Sequence, residues 1–209
     1  MHEQPETEAT LAPPVGEATE FDLARAAQSD AAGFDTALAR NRAFAAAGEH
    51  EGVTVFPALR LLVITCLDPR VDPAHILGLD LGDAMVFRNG GGRVTPEVID
   101  NIAFVCQLAE KAVPEGPLFE VAVIHHTECG AGALADDHVR HAYAKRIGAD
   151  EAALRNAAIL DPAATVASDV DRLRSAEAIS PRVTVSGHVY DVATGLVETV
   201  IPAAATVST

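Results

Sequence analysis

Tryptophan is absent from this 209-residue chain, and aromatic side chains make up only 4% of it. Burial must therefore come from aliphatic side chains; hydrophobic residues reach 49% of the chain, enough for one full core. No apolar run approaches the ~20 residues that a membrane span needs, so a soluble protein is expected. Basic residues are scarce, with 15 Lys and Arg against 30 Asp and Glu and a net charge of −15. That scarcity argues against nucleic acid as a partner, because phosphate contacts need clustered Lys and Arg. The excess acidity reads as solubility, although Arg70, Arg88 and Arg93 leave room for a small anionic ligand. The N-terminus has neither the basic stretch nor the apolar core of a secretory signal. Only three cysteines are present, too few for a disulfide framework, so a reducing, cytoplasmic setting is expected.

Residues 1–20 are rich in Glu, Pro, Ala and Thr and are expected to form a flexible acidic tail. A single domain is expected over 21–209. The Ala-rich stretch from Phe21 to Gly48 predicts a helix with Phe34, Leu38 and Phe44 near one face. That stripe suits either this domain's own core or a neighbouring subunit. Apolar runs predict strands at Arg60–Cys66, Ala84–Phe87 and Phe119–Ile124. A fourth is expected over Arg182–Asp191, and a last, antiparallel edge over Leu196–Ile201. Asp72-Pro73 and Thr95-Pro96 each place a capping side chain before a proline, which predicts two helix starts. Val98, Ile102, Val105 and Ala109 mark the buried stripe of the second, and Cys106 reads as a small buried hydrophobe on its inner face. His138–Ala178 reads as helix broken at Gly148 and Asp161-Pro162. The pattern is α/β, a mostly parallel central sheet flanked by helices.

The chemistry concentrates at two strand ends. Cys66-Leu-Asp68-Pro-Arg70 follows the first strand, and His126-Thr-Glu-Cys129 follows the third. Two thiols and an imidazole are soft ligands of the kind that hold Zn²⁺. In an open α/β sheet, functional groups gather outside the carboxyl ends of the strands, so Cys66, His126 and Cys129 should converge. Consecutive side chains on an extended segment face opposite ways, so His125 is expected to pack or hydrogen-bond behind the site, not to bind metal. Asp68 suits a fourth metal ligand, and Arg70, two residues on, could instead hold its carboxylate.

These residues resemble the zinc signature of the β-class carbonic anhydrases, C-x-D-x-R on one strand end and H-x-x-C on another. Arg88-Asn-Gly-Gly-Gly-Arg-Val94 is similar to that family's R-N-A-G-x-x-V segment. His125-His126 and Gly187-His-Val-Tyr-Asp-Val-Ala-Thr-Gly195 are similar to its short bacterial forms. The resemblance implies the family's sheet, Zn²⁺ as cofactor, and reversible hydration of CO₂ to bicarbonate by a zinc-bound hydroxide. It also implies a homodimer or larger homo-oligomer, and an Asp68–Arg70 pair that opens the fourth zinc position to water. Gly90, Gly91 and Gly92 would leave space for substrate beside the metal. Two departures remove volume there: Gly90 stands where alanine is usual, and Gly-Ala-Gly-Ala follows Cys129 where short relatives often carry methionine. Hydrolysis of carbonyl sulfide or carbon disulfide on the same fold is therefore an alternative. A non-catalytic zinc domain with Asp68 locked on the metal is another.

Overall fold

The computed structural model describes residues 33–206. The expected tail at 1–20, and the first part of the helix expected from Phe21, lie outside the described residues. Five strands form one sheet: β1 (Leu61–Cys66), β2 (Ala84–Asn89), β3 (Glu120–His126), β4 (Thr184–Asp191) and β5 (Leu196–Ala205). Their order is β2-β1-β3-β4-β5, with the first four parallel and β5 antiparallel to β4. Among the described residues the α-helices are α1 (Gly33–Ala47), α2 (Pro73–Ile76), α3 (Pro96–Ala112), α4 (Asp137–Ile147), α5 (Glu151–Ala157) and α6 (Pro162–Arg174). The helix expected across His138–Ala178 is three helices, separated at Gly148, in the left-handed conformation, and at Asp161-Pro162.

Local chemistry explains the helix starts. Asp72 accepts from the Ala74 amide, Thr95 from Val98, Asp136 from His138 and Val139, and Asp161 from Ala164. One sheet face is closed by α3 and α6. There Val98, Ile102, Cys106 and Ala109 of α3, and Val166, Val170 and Leu173 of α6, pack on Leu62, Ile64, Val121, Val123 and Val185. Val105, expected in the stripe, is only half-buried; Cys106 takes the inner position, and burial pushes its thiol upward. A second cluster on the other face gathers Val63, Ile124 and Tyr190 with Cys66 and Cys129.

Two expectations change. β3 does not stop at Ile124 but continues through both histidines, which pair with Val189 and Tyr190 of β4. The α1 stripe does not serve this domain's core, because α1 buries no residue and Phe34 is 74% exposed. Between β3, β4 and β5 runs a polar chain: Ser186 Oγ donates to Glu120 Oε1 at 2.5 Å and lies 2.8 Å from His188 Nε2. His188 Nδ1 lies 3.0 Å from Thr199 Oγ1.

Candidate metal centre

Parallel pairing of β1 with β3 brings the ends of both strands to the same edge of the sheet. Cys66 closes β1 and His126 closes β3, and Cys129 follows after two loop residues. Their Sγ, ring nitrogen and Sγ all lie within 4.8 Å of one another, and all three residues are buried. The two sulfurs are 3.9 Å apart. The neighbouring Cys129 sulfur, with His126 and the amides of Asp68 and Gly91, holds the Cys66 thiol well below its usual range. The neighbouring Cys66 sulfur and burial push the Cys129 thiol up.

His126 is oriented by its own loop. Nδ1 lies 2.8 Å from the Thr127 carbonyl, which can only accept, so Nδ1 carries the proton and Nε2 the lone pair. Nε2 is buried with no hydrogen-bond partner among the described residues. A buried acceptor left unpaired is costly, and beside two thiols it matches the third donor of a soft-metal site. Thr127 is tied to the β4–β5 turn, where the Val192 amide donates to its Oγ1 at 3.0 Å.

Asp68 and Arg70 are clasped together. The Arg70 amide donates to Asp68 Oδ1 at 2.9 Å, its Nε to the same oxygen at 3.1 Å, and an Nη to Oδ2 at 2.8 Å. Burial alone would raise the Asp68 carboxyl, but these donors outweigh it and hold it below the usual carboxylate range. Arg70 also crosses to the other loop, donating to Glu128 Oε2 and to the Glu128 carbonyl, each at 3.2 Å. Glu128 sits at φ 55°, a left-handed conformation uncommon outside glycine.

The glycine turn is a backbone device. The Gly91 amide donates to Cys66 Sγ at 3.3 Å. Gly92, at φ 66°, packs so closely on β1 that a Cβ there would lie 2.7 Å from the Thr65 carbonyl carbon. Gly91 and Gly92 are buried and only Gly90 is exposed. The volume expected to be missing near the site is partly filled by Ile159, whose Cδ1 lies 3.0 Å from where a Gly91 Cβ would stand.

Known proteins resemble this chain in sequence and in fold. The sequence profile of the carbonic anhydrase family matches residues 61–197. β-Carbonic anhydrase 1 of Mycobacterium tuberculosis is 29% identical over 150 residues, covering 70% of this chain and 85% of that protein. Carbon disulfide hydrolase of Acidithiobacillus thiooxidans is 32% identical over 155 residues, covering 65% and 74%. The crystal structure of carbonic anhydrase from Streptococcus mutans superposes with a TM-score of 0.69 at 30% identity, covering 82% of this chain and 99% of that one. This chain belongs to the β-carbonic anhydrase family.

As a member of that enzyme family, the chain places its expected residues unevenly. Cys66, His126 and Cys129 converge, while Asp68 is turned to Arg70. His125 faces away from His126 and lies with Nε2 3.3 Å from Asp169 Oδ2, a close contact not aligned as a hydrogen bond. Arg88 and Arg93 are not open to an anion. Arg88 donates to the carbonyls of Cys66 and Asp68 and to Asp72, and Arg93 is paired with Asp169. Asp169, Glu128 and Ile159 were not foreseen. Only Asp169 left a trace: a charge beside Val170, on the α6 stripe of Val166, Val170 and Leu173.

Proposed function

We propose that this chain binds Zn²⁺ through Cys66, His126 and Cys129 and catalyses reversible hydration of CO₂ to bicarbonate. The observation that carries the reading is the unpartnered Nε2 of His126, buried beside two thiols whose sulfurs lie 3.9 Å apart. Zinc in such a site would supply an acidified water, its pKa lowered towards ~7. The chain's own residues do the rest. Arg70 holds the Asp68 carboxylate in its own clasp, which would leave room for water beside the three donors; released from Arg70, Asp68 would be free to reach the metal itself. The amides of Gly91 and Asp68 support the Cys66 thiolate. Gly90 offers exposed backbone for substrate to approach, while Gly91 and Gly92 set the turn behind it.

Carbon disulfide or carbonyl sulfide hydrolysis is the second reading. Similarity to a carbon disulfide hydrolase, at 32% identity, matches that to a β-carbonic anhydrase, at 29%. Stopped-flow comparison of CO₂ hydration with CS₂ and carbonyl sulfide hydrolysis on zinc-loaded protein decides between them. Faster CO₂ turnover is expected, and turnover of the sulfur compounds alone would overturn it. The exposed Phe34 and Leu38 on α1, and Val86, Phe104 and Leu108 near the β2 edge, support assembly as a homodimer or larger oligomer. A cytoplasmic site, where the thiols stay reduced, goes with this reading. Among the described residues, no helix is long and apolar enough to cross a membrane.

A further inference from the structure

A carboxylate on α6 touches residues that flank the metal centre, Arg93 after the glycine turn and His125 on β3, while belonging to neither motif. Asp169 is completely buried. Its Oδ2 accepts from Arg93 Nε at 2.7 Å and from the Val94 amide at 3.1 Å. Its Oδ1 accepts from Arg93 Nη at 3.2 Å and from Arg172 at 3.3 Å. The contact with His125 Nε2 completes the cluster. Burial would raise this carboxyl, but His125, Arg93 and the Val94 amide outweigh it and keep it ionised.

A buried ion pair is weak support for stability, because apolar residues of similar volume often serve as well. Where Asp169 sits suggests another use. Arg93 closes the glycine turn, and Asn89 clasps it from both sides: the Arg93 amide donates to Asn89 Oδ1 and Asn89 Nδ2 donates to the Arg93 carbonyl, each at 2.8 Å. Arg93 also donates to the Asn156 carbonyl at 2.7 Å, which fixes the guanidinium at the end of α5. The turn is thus gripped between Asp169 on one side and the β1 backbone under Gly92 on the other. What the grip presents is the Gly91 amide, aimed at Cys66 Sγ. Through His125, Asp169 also touches β3 one residue before the ligand His126.

We infer that Asp169 is a positioning residue for the metal centre, setting the Gly91 amide against Cys66 and the end of β3 that carries His126. The inference rests on the metal reading above. Partners behind metal ligands typically change affinity by about 10–100-fold when removed. Asp169→Asn should therefore bind zinc about 10–100-fold more weakly in chelator competition. Its cobalt-loaded form should show a shifted sulfur-to-metal charge-transfer band, as Cys66 loses its amide donor.

The double variant Arg93→Met/Asp169→Leu separates positioning from stability. It removes both charges together and leaves no unpaired buried ion. Its metal-free thermal midpoint should recover towards the parent while zinc affinity stays low. Zinc affinity within about threefold of the parent in either folded variant overturns the inference. So does affinity that returns together with the midpoint in the double variant. Should Asp169→Asn not fold, the double variant decides by the same criteria. A parent protein that binds no zinc overturns the metal reading and this inference with it. A zinc-binding parent with unaffected variants overturns this inference alone.

Discussion

The Gly91 amide lies 3.3 Å from Cys66 Sγ, and the two residues meet because Gly92 lets the turn rest on the β1 backbone. The Asp68 amide reaches the same sulfur at 3.5 Å. Donors aimed at a sulfur favour its anionic form, the form that binds metal. The neighbouring Cys129 sulfur is the larger support for that anionic form and the two amides add to it, so the glycine run matters more for its conformation than for any openness it gives.

Gly92→Ala tests that geometry. At φ 66° a side chain is strained, and its Cβ would meet the Thr65 carbonyl carbon at 2.7 Å. The turn must move off β1, at a cost of about 1–3 kcal/mol. Urea unfolding should show that loss, and chelator competition should show weaker zinc binding. Gly90→Ala, where nothing lies within 4 Å of the added Cβ, should change neither. Equal behaviour of the two variants would argue against the contact.

Cys129→Ser should lose tight zinc binding, since a neutral hydroxyl is a far poorer ligand than a thiolate. The proposed ligands lie at or just beyond the ends of β1 and β3, so the zinc-dependent part of the thermal midpoint should vanish with the metal. Elemental analysis finding a full complement of zinc in this variant would remove Cys129 from the site.

How far the sequence carried differs between the two parts of the molecule. The strands and capped helix starts were legible because alternation, apolar runs and Asp-Pro or Thr-Pro pairs are local signals. Convergence of Cys66 with His126 and Cys129 was legible too, since parallel strands end on one edge. Asp169 was not, because its partner Arg93 lies 76 residues away and periodicity reports which face is buried, not what meets it there. β3 ran past its expected end because His125 and His126 interrupt the apolar run, although both pair in the ladder with β4. Both are buried beside groups distant in sequence: His125 meets Asp169, and His126 meets Cys66 and Cys129.

His188 offers a stability test remote from the metal. Burial lowers its pKa, opposed by the nearby Glu120 carboxylate, and its ring faces Ser186 and Thr199. A base whose folded pKa lies below the unfolded value, near 6.5, contributes fully above that pH. The contribution is lost as pH falls through the unfolded pKa towards the folded one, because the unfolded chain gains a proton first. From about pH 7.5 to about pH 5.5, the parent should therefore lose stability relative to His188→Gln. Urea unfolding of both proteins checks this, and a gap that does not change with pH would count against it.

Arg70→Ala addresses the clasp on Asp68. Arg70 donates to both Asp68 oxygens and also reaches Glu128, so its loss frees a carboxylate next to the three metal donors. If Arg70 keeps Asp68 off the metal, the variant should retain zinc yet lose most CO₂ hydration, with Asp68 occupying the position that water needs. Asp68→Asn should differ: it keeps zinc through the other three ligands, and its activity falls because Arg70 loses its anchor while the fourth position stays open. A mere surface pair predicts something else, since an exposed ion pair is worth at most ~1 kcal/mol and its loss would leave turnover intact. The deciding measurement pairs zinc content with hydration rate for Arg70→Ala and the parent at neutral pH, followed by a crystal structure of the zinc-loaded variant. Near-parental turnover, or Asp68 still turned away from the metal, would show that Arg70 does not open this site.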